Sequence, residues 1–179
     1  MSSSPAVDLR YPIGKLQWSG SNTDADRQQY IQIIADAPAR LREAVRGLTP
    51  GQLDTPYRPE GWTVRQVIHH LPDSHLNSYV RFKLALTENE PTIKPYDEAA
   101  WANTPENQST PIEVSLALLE SLHARWVALL RTLKPEDWAR TVRHPERGVM
   151  SLDANLAIYA WHSRHHVAHI TELRKRNSW

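Results

Sequence analysis

Apolar side chains recur at spacings of three and four residues in four separate stretches of the chain, which is the pattern of amphipathic α-helices. These stretches begin near Asp24, Thr63, Pro111 and Ser151, and each is about 20–25 residues long. An isolated helix of this kind leaves its apolar face in water, and four of them joined by loops pack most economically as a bundle. The predicted fold class is therefore all-α, a four-helix bundle.

Polar residues and prolines predict where three of the helices begin. Thr63 is followed three positions later by Gln66, which is the spacing of a capping box. Thr110 and Pro111 have the order of an N-cap and a first helical residue. Ser151 is the predicted N-cap of the last helix, which should end in a basic turn near the C-terminus.

The segments outside the four helices differ in character. Residues 88–111 form a long loop between the second and third helices, a candidate lid or pocket wall with one turn of helix around Glu98–Ala102. A short helical turn should open at Pro135, and residues 140–151 predict a small hairpin before the last helix. Residues 1–22 form an irregular lead-in that we expect to pack against the bundle.

Composition limits the classes of protein that the chain can represent. Its 179 residues favour a single domain over residues 1–179, and a net charge of +1 argues against nucleic-acid binding. No apolar run approaches the roughly 18 residues of a membrane span, and the first residues lack a secretory signal, so we expect a cytoplasmic protein. The absence of cysteine excludes disulfide frameworks, zinc ribbons, iron–sulfur sites and thiol nucleophiles.

Nine histidines are what composition leaves unexplained, and seven of them lie in two short windows on predicted helices. The first window holds His69, His70 and His75, and the second holds His162, His165, His166 and His169. Residues four apart share one face of a helix, so two imidazoles at that spacing can bind one metal ion. The last helix offers two such pairs, 162 with 166 and 165 with 169.

Helical phase separates the two pairs. With about 100° per residue and His162 at 0°, the apolar side chains of the last helix occupy an arc from about 20° to about 120°. His166 falls inside this arc and His162 at its edge, whereas His165 and His169 lie further towards solvent. A lone inward histidine is usually a hydrogen-bonded core residue. Two of them, with a second histidine window on another helix, favour a metal site because unpartnered buried imidazoles are costly.

The second helix offers two candidates for the third ligand. Phase places His75 within the apolar arc of the second helix, His70 on one flank and His69 on the far side. Pro72 lies between His70 and His75 and can shift their register. Geometry inferred from the sequence does not choose between His70 and His75.

Several segments, among them "VIHHL", "PYDEAAW" and "YAWHSRHHVAHITELRKRNSW", resemble the YfiT branch of the DinB superfamily from residue 11 to the C-terminus. The resemblance implies a four-helix bundle with one divalent metal, zinc or nickel, held by three histidines at one end. Matching the motifs residue by residue gives His70, His162 and His166 as the metal ligands, with His75 close by. Pro72 stands where a plain helix former would be expected. The resemblance also implies a homodimer.

Three neutral imidazoles leave a position open for water or substrate, as expected of a catalytic rather than a structural zinc site. The first hypothesis, implied by the resemblance, is a metal-dependent hydrolase in which the metal activates water for attack on a small-molecule substrate. The alternatives are a metal-dependent thiol S-transferase that activates a low-molecular-weight thiol, and a non-catalytic metal-binding protein. Zn²⁺ is favoured and Ni²⁺ is the second choice.

Several other side chains are candidates for roles around the metal, and no general base is assigned. Acceptors that orient the ligand rings are sought among Asp73, Asn155 and Glu172. Acids of the long loop that could reach the site are Asp97 and Glu98, and candidate pocket aromatics are Trp101 and Trp161, whereas Trp62 is assigned to bundle packing. The remaining histidines are placed on outer helix flanks (His69, His165, His169) or treated as ordinary surface or packing residues (His123, His144).

Overall fold

The computed structural model describes residues 8–179 and contains the four predicted long helices. The elements in chain order are α1 (Asp24–Val45), α2 (Pro50–Leu53), α3 (Val64–Thr87), α4 (Glu98–Ala102), α5 (Glu106–Ser109), α6 (Ile112–Leu130), a 3₁₀-helix (Pro135–Ala139), β1 (Thr141–His144), β2 (Gly148–Ser151) and α7 (Leu152–Asn177). Helices α1, α3, α6 and α7 pack together as a four-helix bundle, which confirms the predicted fold class. No helix of residues 8–179 is both long and apolar enough to cross a membrane.

Local capping chemistry sets the helix starts, largely as predicted. The Gln66 N–H donates to Thr63 Oγ1 over 3.1 Å, and the Thr63 N–H donates to Gln66 Oε1 over 3.0 Å, which completes the capping box of α3. Ser151 Oγ accepts from the Ala154 N–H at the start of α7. The predicted start of α6 is wrong by one residue. Pro111 is the N-cap and not the first helical residue, because its ψ of 139° keeps the backbone extended.

The loop between α3 and α6 is more structured than predicted. The expected turn at Glu98–Ala102 is present as α4, and Asp97 caps it by accepting from the Ala100 N–H over 2.9 Å. The short helices α2 and α5 were not predicted, because four-residue helices leave no periodic pattern. Gln66 Nε2 donates to the Ala102 carbonyl over 3.0 Å, so the segment packs against α3.

The predicted helical turn and hairpin before the last helix are both present. The turn opening at Pro135 is the 3₁₀-helix, and β1 pairs antiparallel with β2. Arg143 also joins the hairpin to the long loop, because its carbonyl accepts from the Ile93 N–H over 3.0 Å. The described part of the lead-in, residues 8–22, is without helix or strand and contacts α7 through Asn22, whose N–H donates to Asp153. Residues 1–7 of the predicted lead-in lie outside the described residues.

The core consists of two apolar clusters, each fed by all four long helices. One is centred on Phe82, Trp126 and Leu156, and the other on Leu41, Ile68 and Ile170. Most of the buried histidines of the bundle fall between these clusters along the chain. On α3 the apolar series is interrupted at position 75, on α6 at position 123 and on α7 at positions 162–169. The bundle therefore contains a polar layer between two apolar ends.

The capping box of α3 gives the first prediction. Replacing Thr63 with Ala should lower the free energy of unfolding by about 1 kcal/mol, because the Gln66 N–H loses its side-chain acceptor. Thr63→Ser is the matched control and should retain most of the stability, since it keeps the hydroxyl. Urea unfolding at neutral pH measures the difference, and equal stability of the two variants would contradict the role of the cap.

Candidate metal centre

Three histidine rings from two helices meet beside the polar layer. His70 comes from α3, and His162 and His166 come from one face of α7. His162 Nε2 lies 3.3 Å from His70 Nε2 and 3.1 Å from His166 Nε2. Candidate ligand nitrogens of the three residues all lie within 4.8 Å of one another, and no other group of three acidic or histidine ligands of this kind occurs within residues 8–179. The structure thus brings together the three residues selected by motif.

The spacing of these nitrogens fits a tetrahedral metal ion. An ion bound at about 2.0–2.1 Å holds neighbouring ligand nitrogens about 3.3–3.4 Å apart, close to the observed Nε2 separations. Hydrogen bonds among the rings cannot satisfy all three nitrogens well. Each such bond joins one protonated nitrogen to one lone pair, and His162 Nε2 is shared by both contacts. The donor set is imidazole only, which suits Zn²⁺ and Ni²⁺ better than the oxygen-preferring cations.

Burial keeps the three rings neutral and their lone pairs available. Removal from water lowers the pKa of His70 to about 4. Burial, followed by the repulsion of neighbouring rings, lowers the pKa of His162 and His166 well below the usual value. Because a metal competes with protons for imidazole nitrogen, neutral rings at physiological pH favour binding of an ion.

His75, the residue that helical phase favours as third ligand, lies one ring behind the cluster. It is fully buried, as phase predicts, and its Nε2 lies 3.0 Å from His162 Nδ1. It therefore contacts the nitrogen of His162 that faces away from His70 and His166. Helix α3 continues through Pro72, so the proline does not break the register between the two candidates. Helical phase identifies the residue that points to the bundle centre, which is His75. The cluster lies to one side of that centre, on the flank of α3 that carries His70.

The remaining histidines are buried, which contradicts the predicted outer-flank positions of His69, His165 and His169 and agrees with a packing role for the other two. His69 is covered by α6 through its Nδ1 contact of 2.7 Å with Ser115 Oγ. His165 stacks on Trp161 with ring centroids 4.2 Å apart, and His169 stacks on Tyr57 at 3.9 Å. The lead-in also covers His165 through Tyr11, at 5.8 Å between ring centroids, and Tyr57 belongs to a loop. The periodicity of a single helix carries no information about such distant covering residues. His123 and His144 are also buried, at 2% and 7% exposure.

The acceptors sought among acidic and amide side chains are wrong. Glu172 pairs with Lys175, and Asn155 donates to Ser78 Oγ over 3.1 Å. Among the described residues, no hydrogen bond joins Asp73, Asn155 or Glu172 to a ring of the cluster. The partner of His162 is His75 instead. The expectation from the motif match that His75 lies close to the ligands is thereby confirmed.

Two of the candidates from the long loop contact other residues of that loop. Trp101 packs on Tyr96, and Asp97 caps α4. Trp62, which the pattern assigned to bundle packing, is the tryptophan beside the cluster. The centroid of its ring lies 4.7 Å from that of His70 and 6.4 Å from that of His166, to which it is nearly parallel. It immediately precedes the N-cap of α3, so the start of that helix also builds one wall of the site.

Asp73, on α3, is an acidic residue whose pKa is raised strongly. It follows His70 by three residues, a spacing that puts both side chains on neighbouring positions of the helix surface. Burial first, and then the negative charge of Glu106, raise the pKa of Asp73 to about 6. A carboxyl group with this pKa exchanges protons close to neutrality.

Comparison with known proteins agrees with this arrangement. The family model described as the DinB superfamily matches residues 33–170, a span that includes all three cluster histidines. The chain belongs to the DinB superfamily. This places it in the family that its histidine motifs indicated.

Relatives within the superfamily cover almost the whole chain. Proteins from Bacillus mycoides (strain KBAB4) and Bacillus cereus (strain 03BB102), both named "putative metal-dependent hydrolase", are 55% and 56% identical over 172 residues. Each match covers 96% of this chain and 99% of the relative.

Two solved structures share the fold. YfiT from Bacillus subtilis, described as a probable metal-dependent hydrolase with an unusual four-helix bundle topology, is 50% identical with a TM-score of 0.93. That match covers 96% of this chain and 98% of YfiT. The four-helix bundle protein TT2238 is 19% identical with a TM-score of 0.55, covers 86% of this chain and 99% of its own, and supports the fold alone.

The buried neutral histidines predict acid sensitivity of the metal-free protein. Burial lowers the pKa of His123 from 6.5 to about 4. Between these values the unfolded chain binds a proton that the folded chain does not, so the free energy of unfolding falls as the pH falls. For His123 alone the loss is on the order of 3 kcal/mol by pH 4.

Urea unfolding with a chelator present, at pH 7, 6 and 5, measures this dependence. His123→Gln is the control, because it removes the titrating group and keeps a polar side chain. Its unfolding free energy should fall less steeply, by about 1.4 kcal/mol per pH unit. If the free energy of unfolding changed with pH equally in the wild type and in His123→Gln, His123 would not be buried in its neutral form.

Proposed function

We propose that this chain is a metal-dependent hydrolase and that His70, His162 and His166 bind its metal ion. The observation that carries the proposal is the convergence of the three Nε2 atoms, with separations of 3.3 and 3.1 Å about His162. Relatives with 55% identity that are named as metal-dependent hydrolases support the reaction class. Zn²⁺ is the favoured ion and Ni²⁺ the second choice, because both accept an all-imidazole donor set.

A site with three neutral protein ligands keeps one position for a small molecule. When bound, the ion would supply Lewis-acid activation of a water molecule or of a substrate carbonyl group. Trp62 borders this position, since its ring lies against those of His70 and His166. An apolar wall of this kind suits a substrate with an uncharged part and limits the access of bulk water.

Asp73 is the residue we propose for proton transfer. It lies one helical turn beyond His70, and its pKa of about 6 makes it a carboxylate at neutral pH that still accepts a proton readily. The neighbouring Ser74 accepts from Tyr159 through its backbone carbonyl over 3.2 Å, which fixes this turn of α3 against α7. The same contact fixes the position of the Asp73 backbone along the helix axis relative to the cluster.

A thiol S-transferase is the second candidate. The chain contains no cysteine, so a thiolate at the open position would have to arrive with a low-molecular-weight cosubstrate. The imidazole-only donor set leaves the ion able to bind such a thiolate. The two reactions differ in their requirement for added thiol, which makes them separable by experiment.

Metal content tests the ligand set. The purified full chain should contain about one divalent ion, and His162→Ala and His166→Ala should each lose most of it because two ligands remain. His165→Ala is the matched control, a buried histidine of the same helix outside the cluster, and should keep the ion. Elemental analysis after dialysis measures the content. Full metal in both cluster variants would refute the assignment.

Turnover tests the reaction class. The metal-loaded chain should cleave members of a panel of esters and amides without added thiol, and Asp73→Asn should lower kcat about 10²-fold or more with unchanged metal content. The wild-type rate should rise with pH through about 6, as Asp73 loses its proton, and this limb should vanish in the variant. Consumption of electrophiles only with added thiol would favour the transferase, and no turnover with metal bound would favour a binding protein.

A further inference from the structure

A line of hydrogen bonds crosses the bundle and ends at the histidine cluster. His123 Nδ1 lies 2.6 Å from the Ile34 carbonyl oxygen, and His123 Nε2 lies 2.8 Å from His75 Nδ1. His75 Nε2 in turn lies 3.0 Å from His162 Nδ1. Its members come from α1, α6, α3 and α7, so each long helix contributes one group.

The direction of every bond in this line follows from its first member. A carbonyl oxygen can only accept, so His123 donates through Nδ1–H. A neutral imidazole has a single N–H, so His123 Nε2 must accept the next bond, and His75 Nδ1–H donates it. By the same rule His75 Nε2 accepts from His162 Nδ1–H.

The rings of this line are neutral and held in place. His75 and His123 are 0% and 2% exposed, and no carboxylate of residues 8–179 forms a hydrogen bond with either ring. A positive charge there would lose its hydration without compensation. The two rings are nearly parallel, at 14°, with centroids 4.9 Å apart, and Trp126 packs edge-on against both at 5.8 Å. Tyr159 packs edge-on against His75 at 5.2 Å. These contacts oppose the ring rotations that would exchange donor and acceptor.

We propose that His123 and His75 are positioning residues that hold His162 in the tautomer protonated on Nδ1, which directs its Nε2 lone pair at His70 and His166. The inference rests on the proposed metal site for its consequence, since this is the tautomer that can bind an ion through Nε2. Neither residue touches the cluster centre. His123 acts through His75, and His75 acts through His162.

The other two cluster rings lack an equivalent partner among the described residues. His166 Nδ1 is buried and makes no hydrogen bond, and His70 engages His162 through Nε2. His162 is also the ring common to both short Nε2 contacts. Fixing its tautomer therefore prepares the central nitrogen of the three.

Ring-nitrogen NMR of the metal-free full chain, labelled with ¹⁵N-histidine, tests the inference without reference to activity. At neutral pH, His123, His75 and His162 should all be protonated on Nδ1. His123→Leu removes the start of the line, so the His162 tautomer should become mixed and Zn²⁺ affinity should fall about 10- to 100-fold, as measured by chelator competition. His123→Gln should preserve both, because its amide donates and accepts in the same order.

Circular dichroism checks that the variants are folded, and the wild-type spectrum decides the tautomers even if His123→Leu is not. Protonation of wild-type His162 on Nε2 would overturn the inference, and so would a folded His123→Leu variant with unchanged tautomer and Zn²⁺ affinity. If the wild-type tautomers are as expected but Zn²⁺ leaves the His162 resonances unmoved, the line of hydrogen bonds stands. In that case the proposed metal site fails instead.

Discussion

A buried imidazole needs a hydrogen-bond partner, and this bundle buries eight of its nine histidines. Most of those partners come from neighbouring helices. Ser115 on α6 meets His69 on α3, and Ile34 on α1 meets His123 on α6. Because such bonds are directional, they fix the axial position of each helix relative to its neighbour. The two apolar clusters supply most of the burial energy, and the polar layer between them specifies the register.

The same layer explains why the candidate site lies where it does. Four ring nitrogens of residues 69, 165, 166 and 169 are buried without a hydrogen bond among the described residues, and each costs about 1–3 kcal/mol. Three of the four belong to residues 165, 166 and 169, whose rings pack on one another at centroid distances of 4.2–5.3 Å and include one ring of the cluster. Polar groups held at a cost to stability are typical of functional sites, where the arrangement serves binding more than folding.

The sequence predicts those features that arise from neighbouring residues. Helix periods, the Thr63 cap, the hairpin and the shared face of His162 and His166 are all local, and the structure contains each of them. The choice of His70 over His75 needed the motif resemblance, because it depends on how α3 is rotated against α7. The burial of His165 and His169 was missed since their covers are irregular segments far away in the chain. The contact between His75 and His123 joins positions 48 apart, and no pattern in either helix indicates it.

The central claim is that one ion occupies the point where the three Nε2 atoms converge. The most direct test is a crystal structure of the metal-loaded protein with anomalous scattering collected at the absorption edge of the ion. The account predicts a single peak about 2.0–2.1 Å from Nε2 of His70, His162 and His166. A protein that binds metal stoichiometrically but shows its peak elsewhere, for example between His165 and His169, would contradict it.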